Sequence, residues 1–464
     1  MRNRYILQAV FVAGFLFSTG LASHAQQYNL TTINAGYPGS LLYYTTPKIN
    51  NRGQVVAISA VGSSSGYLFS GGVLTPLPGG FAPVDINNNG AIAMYSFASS
   101  TSVVSLPPYT TQTSMGNLTS CTIPGDTVAT GLNDSGAAVG IANAPTSCPQ
   151  PFFSVNGQMA AMGGAPPYAK WMAINNSNQV VGFEVFPSQT TYAAERAVQL
   201  INGTLTDIDP SNSDAYDSEA MAINDNGQFI VNSNETICTK RIGIPPSQKI
   251  ITYPCRGTIW YPLLYAGSTY TNMGGLGTAG GNATGINLWG DVVGSSQTTS
   301  GALHGFLYIN GAMTDLNSHL ASSGLGWTIE RAYDINDFGQ IVAEGKDFNG
   351  NPAVVLLSPA QVRPPTISSL TLNPPSLSGR FGAFLKSIGT VTLASAAPAG
   401  GTIIFLNSTS TLAKVPSMIR VNAGSTTATF AVAATLPLGS AGATITASTG
   451  ATSKTATLIL TGTL

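Results

Sequence analysis

The chain has 464 residues, too many for one ordinary hydrophobic core, so two or more domains are expected. Only 8% of its residues are charged, against a usual quarter, and Ser, Thr, Asn and Gly are abundant, a composition that points to an extracellular β protein. Regularly spaced aliphatic and aromatic residues exclude a disordered chain, and the lack of a basic stripe with interleaved aromatics excludes a nucleic-acid binder.

Residues 1–25 have the pattern of a secretory signal. Arg2 and Arg4 form a basic start, residues 6–21 an apolar stretch, and Ser23-His24-Ala25 a small-residue cleavage site. No later apolar stretch is long enough to span a membrane as a helix, and the expected location is secreted or cell-surface associated.

Beyond the signal, a short motif, Ile-Asn-x-x-Gly followed by a β-branched run, occurs seven times. Its leading Asn residues are Asn50, Asn87, Asn133, Asn175, Asn224, Asn287 and Asn336, at intervals of 37, 46, 42, 49, 63 and 49 residues. Each copy has the chemistry of a hairpin turn. The Asn forms an Asx-type turn, and the closing Gly, or Asn178 in the fourth copy, accepts positive φ. Runs such as Val55-Val56-Ala57 and Val180-Val181-Gly182 are apolar on both faces and read as strands sandwiched between sheets, the terminal Ala or Gly allowing close approach.

The interval suits a four-stranded blade and is too long for one coil of a β-helix. Strands of a Gly-x-x-Thr-Asp-Leu type, such as Asn202-Gly203-Thr204-Leu205-Thr206-Asp207-Ile208 and Asn310-Gly311-Ala312-Met313-Thr314-Asp315-Leu316, fall between the turns. The last unit lacks such a strand, and Tyr28-Asn29-Leu30-Thr31-Thr32-Ile33 resembles one. The expected architecture is therefore all-β: a seven-bladed β-propeller over residues 26–358, closed by its N-terminal strand.

Four cysteines follow the signal, and pairing Cys121 with Cys148 and Cys238 with Cys255 is the simplest of three connectivities. Zinc is disfavoured, because the spacing matches no zinc pattern and only His304 and His319 remain beyond the signal. The acidic cluster Asp207, Asp209, Asp214, Asp217 and Glu219 reads as one solvated loop; as a Ca²⁺ site Asp207, Asp209 and Asp214 are a weak candidate, since Asn212 stands where an EF-hand needs Gly. No cofactor is expected.

Two departures from the repeat are candidates for recognition. The long fifth interval holds a basic insert with Lys240, Arg241 and Lys249, expected as a surface loop. The last two turns carry Trp289 and Phe338 where other copies are polar; packing against a neighbouring loop is the plainer reading, and exposed turn aromatics that anchor protein partners or sugar rings are the alternative.

The repeated motif, the intervening Thr-Asp-Leu strands and the segment His304-Gly305-Phe306 resemble the HAF family of bacterial extracellular repeat proteins, over roughly residues 27–358. Only one unit keeps the His, and Gly305 replaces the family's Ala. The resemblance implies a secreted repeat protein and brings no catalytic residues with it.

Residues 359–365, with Arg363-Pro364-Pro365, read as a stiff linker. From 366 to 464 about seven short strands are expected, near 367–372, 390–393, 402–406, 419–421, 427–432, 443–447 and 455–460. That spacing suggests an Ig-like β-sandwich. Leu370-Thr371-Leu372-Asn373-Pro374 and Lys454-Thr455-Ala456-Thr457-Leu458 resemble bacterial Ig-like domains. All 19 acidic residues precede the linker, whereas the chain beyond residue 362 carries only Arg and Lys. The functional expectation is a noncatalytic binding or surface-interaction protein whose partner is an extracellular glycan or protein. The alternative is a carbohydrate-active hydrolase or lyase using the propeller's central face.

Overall fold

The computed structural model describes residues 26–35, 46–59, 65–116, 118, 126–143, 150–162, 169–186, 194–209, 217–242, 249–277, 280–360, 365–398, 400–449 and 452–464, the side chains of 235–258 excepted. One compact unit comprises Gln27–Gln361, and a second contains Val362–Leu464.

The first unit consists of seven four-stranded antiparallel sheets. Each turn motif ends the first strand of a sheet. The first strands of sheets one to seven are Lys48–Ile49, Phe81–Ile86, Asp126–Leu132, Ala169–Ile174, Ser218–Ile223, Gly281–Ile286 and Thr328–Ile335. The turn closes as its chemistry demands. Asn50 Oδ1 accepts from the backbone N–H of Arg52 and Gln54, each at 3.0 Å, and Gly53 N–H returns to Asn50 O at 3.0 Å. Gly53 has φ 69° and Asn178, in the equivalent place, φ 57°. Each β-branched run is the second strand of its sheet, and Val55–Ile58 is buried throughout.

A bulge sits in the first strand of sheets two to seven, for example between Ala283 and Gly285. It explains the Gly of the second strand better than close approach between sheets does. A Cβ at Gly294 would overlap the carbonyl oxygen of Asn282 on its own sheet's first strand and stand 2.8 Å from the Phe306 ring. Phe306 of the His304-Gly305-Phe306 segment is fully buried there.

Tyr28–Ala35 is the outer strand of sheet seven. It pairs antiparallel with Pro352–Pro359, with Tyr28 opposite Pro359 and Ala35 opposite Ala353. Tyr28, Leu30 and Ile33 are buried, and Leu30 N–H donates to Ser323 Oγ at 2.9 Å. Sheet seven is thus assembled from both ends of the unit, which covers the edge of Pro352–Pro359.

Among the described residues the C-terminal unit has nine strands where about seven are expected. Ser376–Arg380 and the two-residue Ala413–Lys414 are the additions, and both lack an apolar run that would mark them. A four-stranded sheet is ordered Ile367–Asn373, Phe384–Leu393, Thr427–Thr435, Ala413–Lys414. A five-stranded sheet is ordered Ser376–Arg380, Ser453–Thr463, Gly439–Ser448, Thr402–Ser408, Met418–Val421. Both sheets contribute to one core that includes Val391, Ile404, Val432, Ile445 and Leu458.

Removal of residues 27–33 deletes three buried side chains, each contributing about 1.5–3 kcal/mol, and bares a strand edge. Calorimetry of the truncated chain is expected to show the Gln27–Gln361 transition lowered by about 10 °C or more; an unaltered transition would refute closure by this strand.

Candidate functional site: a polar channel through the ring

The first strands of the seven sheets surround a channel whose cavity, about 180 Å³, is lined by residues from all seven turn copies. At this mouth the leading Asn does a second job. Asn50 Nδ2 donates to Asn87 O at 2.9 Å, Asn87 to Asn133 O at 2.8 Å, Asn133 to Asn175 O at 3.1 Å and Asn175 to Asn224 O at 3.0 Å. Asn224 continues to Asn287 O at 2.8 Å, Asn287 to Asn336 O at 3.2 Å, and Asn336 returns to Asn50 O at 2.9 Å. Seven identical bonds close a circle.

The next residue of each turn forms an outer tier. Asn51, Asn88, Asp134 and Asn176 each donate a backbone N–H to the side chain of the following copy, at 2.7–2.8 Å. Leu288 N–H donates to Asp337 Oδ1 at 2.8 Å, and Asp337 N–H to Asn51 Oδ1 at 2.9 Å. The carboxylates of Asp134, Asp225 and Asp337 each use both oxygens as acceptors: Asp134 from Asn88 and Asn176, Asp225 from Asn176, and Asp337 from Leu288 and Asn51. Burial raises the Asp337 carboxyl above the usual range, with the charges of Asp225 and Asp134 adding to it, while the Leu288 and Asn51 hydrogen bonds oppose the rise.

One residue inside this mouth, immediately before the Ile of each motif, stand Lys48, Asp85, Gly131, Ala173, Ala222, Gly285 and Asp334. The three charged groups fall in consecutive sheets, seven, one and two. Asp85 accepts from Ile86 N–H at 2.9 Å and Leu132 N–H at 2.8 Å, and Asp334 from Ile335 N–H at 3.0 Å and Ile49 N–H at 3.2 Å. Each carboxylate thereby ties its sheet to the next. Burial pushes Asp85 up to about 6, Lys48 opposes it and Asp334 adds to it. The belt is tight: a methyl group at Gly285 would lie 2.8 Å from Asp334 Cα.

A second charged group lies roughly 13 Å up the first strands, four residues from the Ile at about 3.3 Å each and outside the lining of this cavity. Here Lys170 and Glu219 occupy equivalent places in sheets four and five, with Arg331 in sheet seven. Glu219 hydrogen-bonds the Glu195 carboxyl, and Lys170 Nζ is 3.9 Å from Glu195 Oε1 and 5.1 Å from the Phe183 ring centre. Burial, then the hydrogen bond and charge of Glu195, raise Glu219 to about 8, with Lys170 pulling against the rise. Behind the pair, buried Asp217 accepts Glu195 N–H at 3.3 Å and is held by Asn234 at 2.9 and 3.1 Å. Arg331 lies 3.5 Å from Glu344 Oε2, which also accepts from Tyr333 Oη at 2.6 Å.

The residues singled out from sequence are dispersed. Trp289 and Phe338 are half-buried, not exposed tips, because the Trp289 indole N–H reaches across to Asp337 O at 2.7 Å. Asp207 and Asp209 face Arg196, whose Nη1 is 2.8 Å from Asp207 Oδ2 and whose Nε is 4.0 Å from Asp209 Oδ2. A guanidinium thus occupies the place a Ca²⁺ ion would need; Asp214 lies outside the described residues. Among the described residues no three His, Cys, Asp or Glu side chains are grouped for a metal ion. The fifth-interval insert is not a loop. Strands Phe229–Ile242 and Lys249–Ala266 continue into it as a hairpin, with Lys240 opposite Ile251, Arg241 opposite Ile250 and Lys249 opposite Ile242. Cys238 and Cys255 lie on these two strands, opposite Tyr253 and Thr236, and their side chains are outside the described set. Cys121 and Cys148 lie outside the described residues. His304 Nδ1 is 2.7 Å from Asp315 Oδ2 on the outer strands of sheet six.

Sequence reasoning missed Lys48, Asp85 and Asp334, and also Lys170 and Glu195; Glu219, expected in a solvated acidic loop, instead lies on the first strand of sheet five. A signal existed for the first set, since aligning the copies exposes a charge before Ile-Asn in three consecutive sheets around the ring. Glu195 carried none, because it comes from the third strand of sheet four.

Asn175→Ala removes acceptors for Ser177 and Gln179 N–H and the bond to Asn224 O. Denaturant titration should show a loss of about 2–4 kcal/mol, and a loss under half a kcal/mol would mean that the circle is ornamental. For Glu219 the sign follows from a native value above the ordinary 4.5. The native state binds this proton more tightly, so its contribution to stability falls as pH rises from about 4.5 through about 8. Glu219→Gln, a mimic of the protonated form, is expected to match the parent melting temperature near pH 4 and to exceed it increasingly up to pH 8 to 9. A difference independent of pH would dismiss the raised Glu219 carboxyl.

No family model matches the chain, and no curated protein does. Among solved structures it is similar to the β-propeller domain of the Trilobed protease from Pyrococcus furiosus, with TM-score 0.44, 8% identity and coverage of 72% of this chain and 94% of that one. It is also similar to a Mycobacterium tuberculosis puromycin-hydrolyzing peptidase, with TM-score 0.40, 12% identity and coverage of 79% and 62%. For Pyrococcus horikoshii acylaminoacyl peptidase the TM-score is 0.41 at 8% identity, with coverage of 77% and 58%. The chain spans less than two thirds of those two peptidases, and at this identity the likeness does not extend to their activity.

Proposed function

We propose that the chain is a secreted, noncatalytic binding protein of the HAF-repeat type. In this reading Gln27–Gln361 is a seven-bladed β-propeller, residues 366–464 are an Ig-like sandwich, and the ligand is an extracellular glycan or protein. The blade count is supported by seven sheets and a circle of seven Asn bonds, and the sandwich by two sheets that share one core. Secretion rests on the character of residues 1–25 and on the charge-poor composition.

The observation that carries the binding reading is the contrast between the two ends of the first strands. At the turn end all three rim carboxylates accept amide donors on both oxygens. At the other end Lys170, the Glu195–Glu219 pair and Arg331 offer donors and acceptors of both signs. The insert hairpin of sheet five emerges there too, and recognition concentrates on such segments. Hydroxyl groups of a glycan or backbone amides of a protein suit that mixture.

A hydrolase is the second reading, because a Glu219 carboxyl that retains its proton at neutral pH has the state of a general acid. Its direct hydrogen bond to Glu195 counts against a glycosidase, whose paired carboxyls stand about 5 Å or more apart.

Glycan and protein arrays probed with the full chain are expected to show retention that falls at least tenfold for Lys170→Ala and Glu219→Gln, with every retained glycan left intact. Unchanged retention would remove this end from the ligand site. Cleavage of a glycan by the parent but not by Glu219→Gln would replace binding with hydrolysis.

A further inference from the structure

The C-terminal unit carries no Asp or Glu between residues 366 and 464, against Arg380, Lys386, Lys414, Arg420 and Lys454. At one end of this unit three large apolar side chains stand in solvent: Phe381 is 60% exposed, Phe384 65% and Leu438 60%. The backbone brings them together. Phe381 N–H donates to Thr463 O at 2.8 Å, Gly382 N–H to Leu436 O at 3.0 Å, and Phe384 is paired with Thr435. Strand alternation shows that these side chains are surplus to the core. Leu385 turns inward and packs, which leaves Phe384 facing out, and Leu438 stands 60% exposed in the turn after buried Leu436. Exposed Arg380 and Lys386 flank the group, one residue before Phe381 and two after Phe384.

We propose that this tip, Phe381, Phe384 and Leu438 framed by Arg380 and Lys386, docks onto an anionic lipid bilayer, the apolar groups entering the interface and the cations meeting headgroup phosphates. Two arguments select a bilayer over a protein. The exposed apolar area of three such side chains is roughly 300–400 Å², short of the about 800 Å² per partner of a stable protein interface. Protruding apolar groups ringed by cations on a unit without acids match a surface that is apolar below and negative above.

Sedimentation of the full chain with vesicles tests the assignment. Binding is expected to vesicles of equimolar phosphatidylglycerol and phosphatidylcholine, and to be at least tenfold weaker to phosphatidylcholine alone. The triple variant Phe381→Ser, Phe384→Ser, Leu438→Ser, with an unchanged melting profile, should lose binding at least tenfold, and Arg380→Gln with Lys386→Gln should lose the preference for the anionic vesicle. Equal binding to both vesicles, binding to neither, or binding that survives the triple change would overturn the proposal. So would a self-association, seen by analytical ultracentrifugation, that the triple change abolishes, since the tip would then join two copies.

Discussion

One side chain carries the architecture of the ring, the leading Asn of each turn. Its carbonyl oxygen holds its own turn by accepting two backbone N–H groups, and its amide reaches the main-chain carbonyl of the next turn. No other residue does both. Asp has the acceptors but no amide to donate, and Gln places the same groups one methylene too far to hold a two-residue Asx geometry. The turn and the ring therefore depend on the same atoms, and a substitution that opens one opens the other. This is why the motif recurs in all seven copies although sheet lengths, connections and outer strands vary.

Closure of the circle restricts what the channel can contain. Adjacent first strands approach so closely that Gly285 cannot bear a methyl group beside Asp334. The charged belt avoids a clash by confining Lys48, Asp85 and Asp334 to consecutive sheets, where two carboxylates straddle one ammonium and each accepts two backbone N–H groups. Burial alone would neutralise these acids. The hydrogen bonds and the Lys48 charge limit the rise, leaving Asp85 at about 6.

Sequence periodicity carried the repeat because each turn needs the same local atoms in the same order, and local chemistry is legible in a single chain. Closure by Tyr28–Ala35 was legible for a related reason: the last unit lacked a strand that the first residues could supply. What sequence could not reveal were properties set by assembly. Trp289 looks exposed in a turn of otherwise polar residues, yet its indole finds a carbonyl in the neighbouring turn, 48 residues away. Lys240, Arg241 and Lys249 suggest a loop because their surroundings have no clean alternation, but hairpin pairing extends through them. Asp207 and Asp209 suggest a cation site until Arg196, from the adjoining strand, supplies the cation. Glu195 and Glu219 meet only because neighbouring sheets are brought side by side.

The two ends of the first strands are therefore unequal for a physical reason. Tight turns at one end are fixed by a saturated network in which every carboxylate has its donors, so substitution there is limited by stability. At the other end the connections span from the outer strand of one sheet to the first strand of the next, and their lengths are free of the Asn circle. Charge can accumulate there without breaking the ring, as it has around Lys170, Glu195 and Glu219. Burial and the neighbouring Glu195 raise Glu219 to about 8, and Lys170 offsets that rise only in part, so the cost of assembling like charges falls where the ring does not depend on it.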